Sequence, residues 1–233
     1  MLLSFYSILL LLCYVLMQTG RTDLLSAGSM QSTLTNETIR ECWCEEEGIC
    51  MKEVELKLRK CLDRCWARDA TKVTLRPDDL RQCFIQQKPI GDRLITCIKS
   101  NIKCCADSKY GPQIPKQDIR KIVSLTGEKL EEAKYKIIRN PTLQPIQKVL
   151  DAVIEIGKCV KDCTMEGGGL EECFERYTCQ PCVHVNRMQG TVRRCIKHVG
   201  WRRAARELCN CTVEAGVSGL KNFCPLLNLA SMK

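Results

Sequence analysis

Three short cysteine pairs have spacings at which sulfur does chemistry: Cys42-Trp43-Cys44, Cys179-Gln180-Pro181-Cys182 and Cys209-Asn210-Cys211. Two such pairs, or one pair with two histidines, can close a four-ligand zinc shell. A Cys-x-x-Cys pair can also exchange electrons when a helix N-terminus lowers the pKa of one thiol. In an oxidising compartment the same residues serve as structural bridges. The surroundings favour bridges. His184 and His198 are the only histidines, and no strand–helix–strand pattern flanks Cys179 and Cys182. The chain opens with an uncharged apolar run from Leu2 to Met17, of signal-peptide rather than membrane-span length. The expectation is disulfides, with no metal site and no cofactor. Pro181 reads as a turn residue between two stapled cysteines.

Cys13 lies in the apolar leader. The other eighteen cysteines form two blocks of nine. The first holds Cys42, Cys44, Cys50, Cys61, Cys65, Cys83, Cys97, Cys104 and Cys105; the second holds Cys159, Cys163, Cys173, Cys179, Cys182, Cys195, Cys209, Cys211 and Cys224. All eighteen are candidate bridge residues. Nine is odd, so if every thiol pairs within the chain an odd number of bridges joins the blocks. Cys61 and Cys65 share a helix face, as do Cys159 and Cys163. Residues one turn apart have Cβ atoms about 5–6 Å apart, too far for a disulfide, which wants about 3.8 Å. Each is expected to reach across to another element. Adjacent Cys104 and Cys105 are expected to diverge to different partners. The pairing stays open, since eight cysteines already allow about 105 schemes and eighteen on the order of tens of millions.

The elements that position these residues read as helices. Met51, Val54, Leu58, Cys61, Leu62 and Cys65 recur at helical spacing. A second helix is expected from Pro77, followed by Asp78 and Asp79. A third is expected from near Gly91, carrying Leu94, Cys97, Ile98 and Cys105. Ile119, Ile122 and Val123, then Leu130, Ala133 and Ile137, fit a helical period that Gly127 interrupts. A helix opening at Pro145 carries Ile146, Val149, Val153, Ile156, Val160 and Cys163 on one face. Strand-like alternation is scarce. The fold class is mainly α and disulfide-rich, with two tandem, related, cysteine-stapled helical units. The division is a signal peptide at 1–20, a polar leader at 21–40, a first cysteine-rich helical unit at 41–105, a cysteine-free connector at 106–144, a second unit at 145–224 and a tail at 225–233. The relation rests on Cys61–Cys65 matching Cys159–Cys163 and on Cys97-Ile98-Lys99 matching Cys195-Ile196-Lys197, at one common offset.

Composition narrows function. The formal charge is +9 and aromatics are only 5%, so the core leans on cross-links and the surface suits acidic partners. Nucleic acid is not expected without a recognisable binding motif. Arg193, Arg194, Lys197, Arg202, Arg203 and Arg206, with Trp201 among them, form the densest basic cluster. They are candidate partner contacts or an ordinary solvated helix face. Trp43 is expected to pack inward. Gly167-Gly168-Gly169 reads as a helix end. Asn36-Glu37-Thr38 is a glycosylation sequon, and Asn210-Cys211-Thr212 is one whose use a bridged Cys211 would block. There is no H-E-x-x-H and no G-x-S-x-G, so catalysis is not expected.

The opening Glu41-Cys42-Trp43-Cys44-Glu45-Glu46-Glu47-Gly48-Ile49-Cys50, the Cys61/Cys65 helix, the cysteine-free middle and the second block resemble the large cysteine-rich proteins of centipede venom, nearest the scoloptoxin-11 family. The helical con-ikot-ikot toxins of cone snails are a looser likeness. The resemblance implies a secreted, extracellular venom component without catalytic residues, modulating an ion channel, in particular a potassium channel, by binding a membrane channel or another acidic receptor surface. The alternative is a secreted helical carrier or immune-effector protein that binds a small apolar ligand or an anionic surface.

Overall fold

In a computed structural model of the chain, residues 34–121, 124, 135, 147–168, 171–182 and 185–225 are described. Residues 1–33, most of the helical stretch expected from Ile119 to Ile137, the opening at Pro145 and Ile146, and most of the tail lie outside them; residues 119–121, 124 and 135 of that stretch are helical. The described chain is mainly helical. Strand β1 (Leu34–Glu41) leads into helix α1 (Cys44–Asp69). Helices α2 (Pro77–Gln86) and α3 (Lys88–Asn101) follow, then β2 (Gln113–Gln117), α4 (Gln147–Met165), α5 (Glu172–Arg176), β3 (Cys179–Gln180), α6 (Val185–His198) and α7 (Trp201–Glu214).

Local chemistry sets most of these bounds. Glu45, Glu46 and Glu47 occupy the first turn of α1, where the helix dipole favours negative charge. The Glu46 carboxylate also accepts the Trp43 N–H at 3.0 Å, satisfying one of the orphan donors of that end. Pro77 opens α2 as expected, with Asp78 and Asp79 behind it. The third helix starts earlier than Gly91, because Pro89 already suits a first turn. It ends at Asn101, so Cys105 lies beyond it rather than on its face. After α4, Gly167 and Gly168 take positive φ and end the helix. In α1 the apolar stripe is buried only from Cys61 onward, and Met51 stays 40% exposed.

Each helix of the first cysteine block packs on one of the second: α1 on α4, α2 on α7, α3 on α6. The main core lies between the first two of these pairs. It joins Leu62, Trp66, Leu80 and Phe84 to Ile156, Val160, Leu208 and Phe223. Trp66 meets Phe84 edge-on at 5.5 Å. A smaller cluster of Leu94, Cys195, Ile196 and Val199 fills the α3–α6 seam. Between α1 and α4, Cys61 bonds Cys163 and Cys65 bonds Cys159. As the CxxxC spacing predicts, neither pair closes on itself.

The strands correct the expectation that residues 34–40 belong to a polar leader and 113–117 to a connector without strands. β1 is the centre of a three-stranded sheet, ordered β2-β1-β3. It runs antiparallel to β2, with Ile39 opposite Ile114, and parallel to β3, with Arg40 opposite Cys179. Residues 34–40 are therefore part of the folded body. β1 is eight residues long but almost wholly polar, with no apolar alternation to reveal it, β3 is only two residues, and Pro112 and Pro115 make β2 look like a linker. Beyond β1, residues 42–44 stay between two neighbours: Cys42 N–H donates to the Gln180 carbonyl at 3.1 Å, and Ala106 N–H to the Cys42 carbonyl at 2.8 Å. Gly111 allows the closest approach, since a Cβ there would stand 2.5 Å from the Glu41 carbonyl oxygen.

Candidate functional site

The basic cluster occupies two helices rather than one. Gly200 takes φ +69° and separates α6 from α7, a conformation that costs glycine little. On α6, Cys195, Ile196 and Val199 turn inward, which leaves Arg194, Lys197 and His198 exposed. On α7, Ala204, Ala205, Leu208 and Cys209 turn inward, leaving Arg203 and Arg206 exposed. Arg203 is paired with Glu207 at 2.7 Å, one turn on. Among the described residues Arg194, Lys197 and Arg206 make no ion pair. The side chains of Arg193, Trp201 and Arg202 lie outside the described set. Three bridges tie these two helices to their neighbours: Cys97–Cys195, Cys83–Cys211 and Cys209–Cys224.

The remaining bridges are Cys42–Cys179, Cys44–Cys105 and Cys50–Cys173. Six of the eight bridges join the blocks; Cys44–Cys105 and Cys209–Cys224 each lie within one. Cys104 and Cys105 diverge, as expected from their adjacency. Cys104 and Cys182, expected in bridges, are the two unbonded thiols among the described cysteines. Pro181 thus stands between one bridged and one unbridged cysteine. The two thiols face each other, with Cys182 N–H donating to the Cys104 carbonyl at 3.3 Å. Burial, followed by contact with Cys104 and Glu41, pushes the Cys182 thiol far up.

Polar contacts secure the sheet end. The Arg40 guanidinium grips Glu46 at 2.9 and 3.2 Å and donates to the Tyr177 carbonyl at 2.9 Å. Burial acts to raise the Glu46 carboxyl, but the Arg40 pair, the Trp43 N–H and Lys109 outweigh it and hold it below the usual range. Trp43 is half-buried rather than packed inward. Its indole N–H donates to the Asp107 carbonyl at 3.2 Å, and the Lys109 ammonium stands 5.3 Å from the ring centre. The Gln180 side chain exchanges two bonds with the Gln117 backbone, at 2.7 and 2.8 Å. The bonds of Arg40 to Tyr177, of Trp43 to Asp107 and between Gln117 and Gln180 are not visible in sequence, because each joins residues more than 60 apart in the chain.

A cleft of about 290 Å³ lies along the α1–α4 seam, lined by Arg64, Arg68, Glu155, Lys158, Asp162 and Glu166 around two bridged cysteines. Its walls carry both charge signs, unlike the apolar pocket expected of a carrier. At its end Asp69 is 0% exposed. It is held by Arg68 at 2.7 Å and Lys72 at 2.8 Å, and Lys72 also reaches Glu155 at 2.5 Å. The Arg68 hydrogen bond, assisted by Lys72, keeps the Asp69 carboxyl below its ordinary value despite burial.

Among the described residues no cluster of three or more His, Cys, Asp or Glu side chains suits a metal ion, and no helix is long and apolar enough to cross a membrane. Thr212 of the second sequon is buried and donates to the Leu208 carbonyl at 2.7 Å within α7. The chain matches no protein-family model, no curated protein and no solved structure.

Proposed function

We propose that this protein is a secreted toxin of the scoloptoxin kind, which modulates a cation channel, first among them a potassium channel, by binding and without catalysis. The observation that supports this reading is the exposed cationic face of Arg194, Lys197 and Arg206, carrying no ion pair among the described residues. It stands on helices clamped by three bridges. A rigid face loses little conformational entropy on docking. Its charge suits an acidic channel mouth and steers the encounter. The bridge density fits a protein that folds in, and is exported through, an oxidising compartment.

The test is electrophysiology on a panel of cation channels, with the folded protein beside an Arg194→Glu, Lys197→Glu, Arg206→Glu triple variant. The expected result is inhibition at micromolar concentration or below, weakened roughly tenfold or more by charge reversal, with bridge content and helicity unchanged. No effect on any cation channel removes the reading. Equal potency of the triple variant moves the contact off this face.

A further inference from the structure

We infer that Cys104 and Cys182 are this protein's site of thiol–disulfide exchange, closing a ninth bridge after the other eight by reaction with a low-molecular-weight disulfide such as oxidised glutathione. Counting and geometry reach the same pair independently. One bridge within each block and six between the blocks leave one cysteine over on each side, and those two are Cys104 and Cys182. They were not bound to be neighbours, yet the Cys182 N–H donates to the Cys104 carbonyl. The Cys182 sulfur also lies 3.7 Å from the Lys103 carbonyl oxygen. Both backbones are fixed beside them, because Cys105 is bonded to Cys44 and Cys179 to Cys42.

The two thiols differ in access, and this sets the order of events. Cys104 is half-buried and Cys182 is only 7% exposed. The Cys104 thiolate attacks one sulfur of oxidised glutathione and expels a glutathione thiolate, leaving Cys104 in a mixed disulfide. The Cys182 thiol then loses its proton, attacks the Cys104 sulfur and expels the second glutathione. Two protein thiols are oxidised to one disulfide, and one glutathione disulfide is reduced to two thiols. Exchange rates depend on the attacker's thiolate fraction. Burial favours the protonated form of Cys182, which slows the second attack without deciding which step is slower. The new ring runs through residues 104–105, 42–44 and 179–182 by way of bonds already made. A ring this small removes little further loop entropy. The body therefore folds on eight bridges, and the ninth tightens one seam.

The experiment is oxidative refolding of the full chain in a glutathione buffer, with iodoacetamide quenching at intervals and disulfide mapping by mass spectrometry. The last species before completion should carry eight bridges, with either two alkylated cysteines at 104 and 182 or one glutathione on Cys104. The final species should lose both alkylation sites and yield a 104–182 cross-linked peptide. A Cys182→Ser variant should stop with one glutathione on Cys104, and a Cys104→Ser variant should take none on Cys182. The inference is overturned by a folded chain whose two thiols persist in excess oxidised glutathione, by the first adduct forming on Cys182, or by a Cys104 bridge to a second chain. If a serine variant fails to fold, the wild-type time course decides alone.

Discussion

The α1–α4 seam and the β1 seam are both cross-linked, yet they are held in different ways. The helical seam has two bridges lying beside a dry core of Leu62, Trp66, Ile156 and Val160. The strand seam has bridges from Cys42 and Cys44. It is otherwise secured by backbone ladders, the Arg40–Glu46 pair and the Gln117–Gln180 exchange. Burial of apolar surface outlasts the loss of a bridge. Hydrogen bonds and ion pairs replace bonds to water and contribute only about 1 kcal/mol each, net. Covalent bonds are therefore supplementary in the first seam and close to essential in the second.

The sharpest way to test this contrast is to attack the core itself. Trp66→Ala should cost about 3–5 kcal/mol, read as a lowered midpoint in urea unfolding of the oxidised protein. A cost under about 1 kcal/mol would mean that the bridges, and not the packing, carry the helical seam. Next in size is the removal of one bridge from each seam. The Cys42→Ala, Cys179→Ala double variant should lose about 2–4 kcal/mol and expose β1 to hydrogen exchange. The Cys65→Ala, Cys159→Ala variant should lose less and keep α1 protected. Equal losses would break the comparison. The smallest effect concerns the buried charge at the end of α1. Asp69→Asn should cost about 1–3 kcal/mol at neutral pH, because the negative charge goes and one of the two oxygens facing Arg68 and Lys72 becomes an NH2 donor. The Asp69 carboxyl sits below its ordinary value when folded. Its contribution is thus complete above about pH 4 and lost as pH falls through the folded value. Melting temperatures of wild type and variant should converge in acid and separate toward neutrality.

Sequence made the helices legible wherever burial follows a 3.6-residue period. The face of α4 shows it, with Val149 and Val153 partly buried and Ile156, Val160 and Cys163 in the core. Pro77 marked its own helix start. Proline misled at β2, where Pro115 stands inside a strand opposite Thr38. The two-residue β3 has no periodicity to find. Charge clustering singled out Arg194, Lys197 and Arg206, which are exposed. It did not find the break at Gly200, which becomes evident only from its backbone angle. Parity required bridges between the blocks but could not choose among pairings, since that choice depends on distances fixed by the fold.

The pairing has an internal order. Cys61 bonds Cys163 and Cys65 bonds Cys159, so the earlier cysteine of each CxxxC pair meets the later one of the other, and Cys97 bonds Cys195. The pairing also dictates a timetable for synthesis. The shortest bridge between the blocks spans 94 residues, and among the described cysteines the only bridge available before Cys159 emerges is Cys44–Cys105. As the chain leaves the ribosome, seven thiols of the first block must wait with no native partner yet made. Such a sequence depends on its cell for time and for repeated reshuffling of wrong pairs. A host poor in disulfide isomerase would yield scrambled protein from a correct gene.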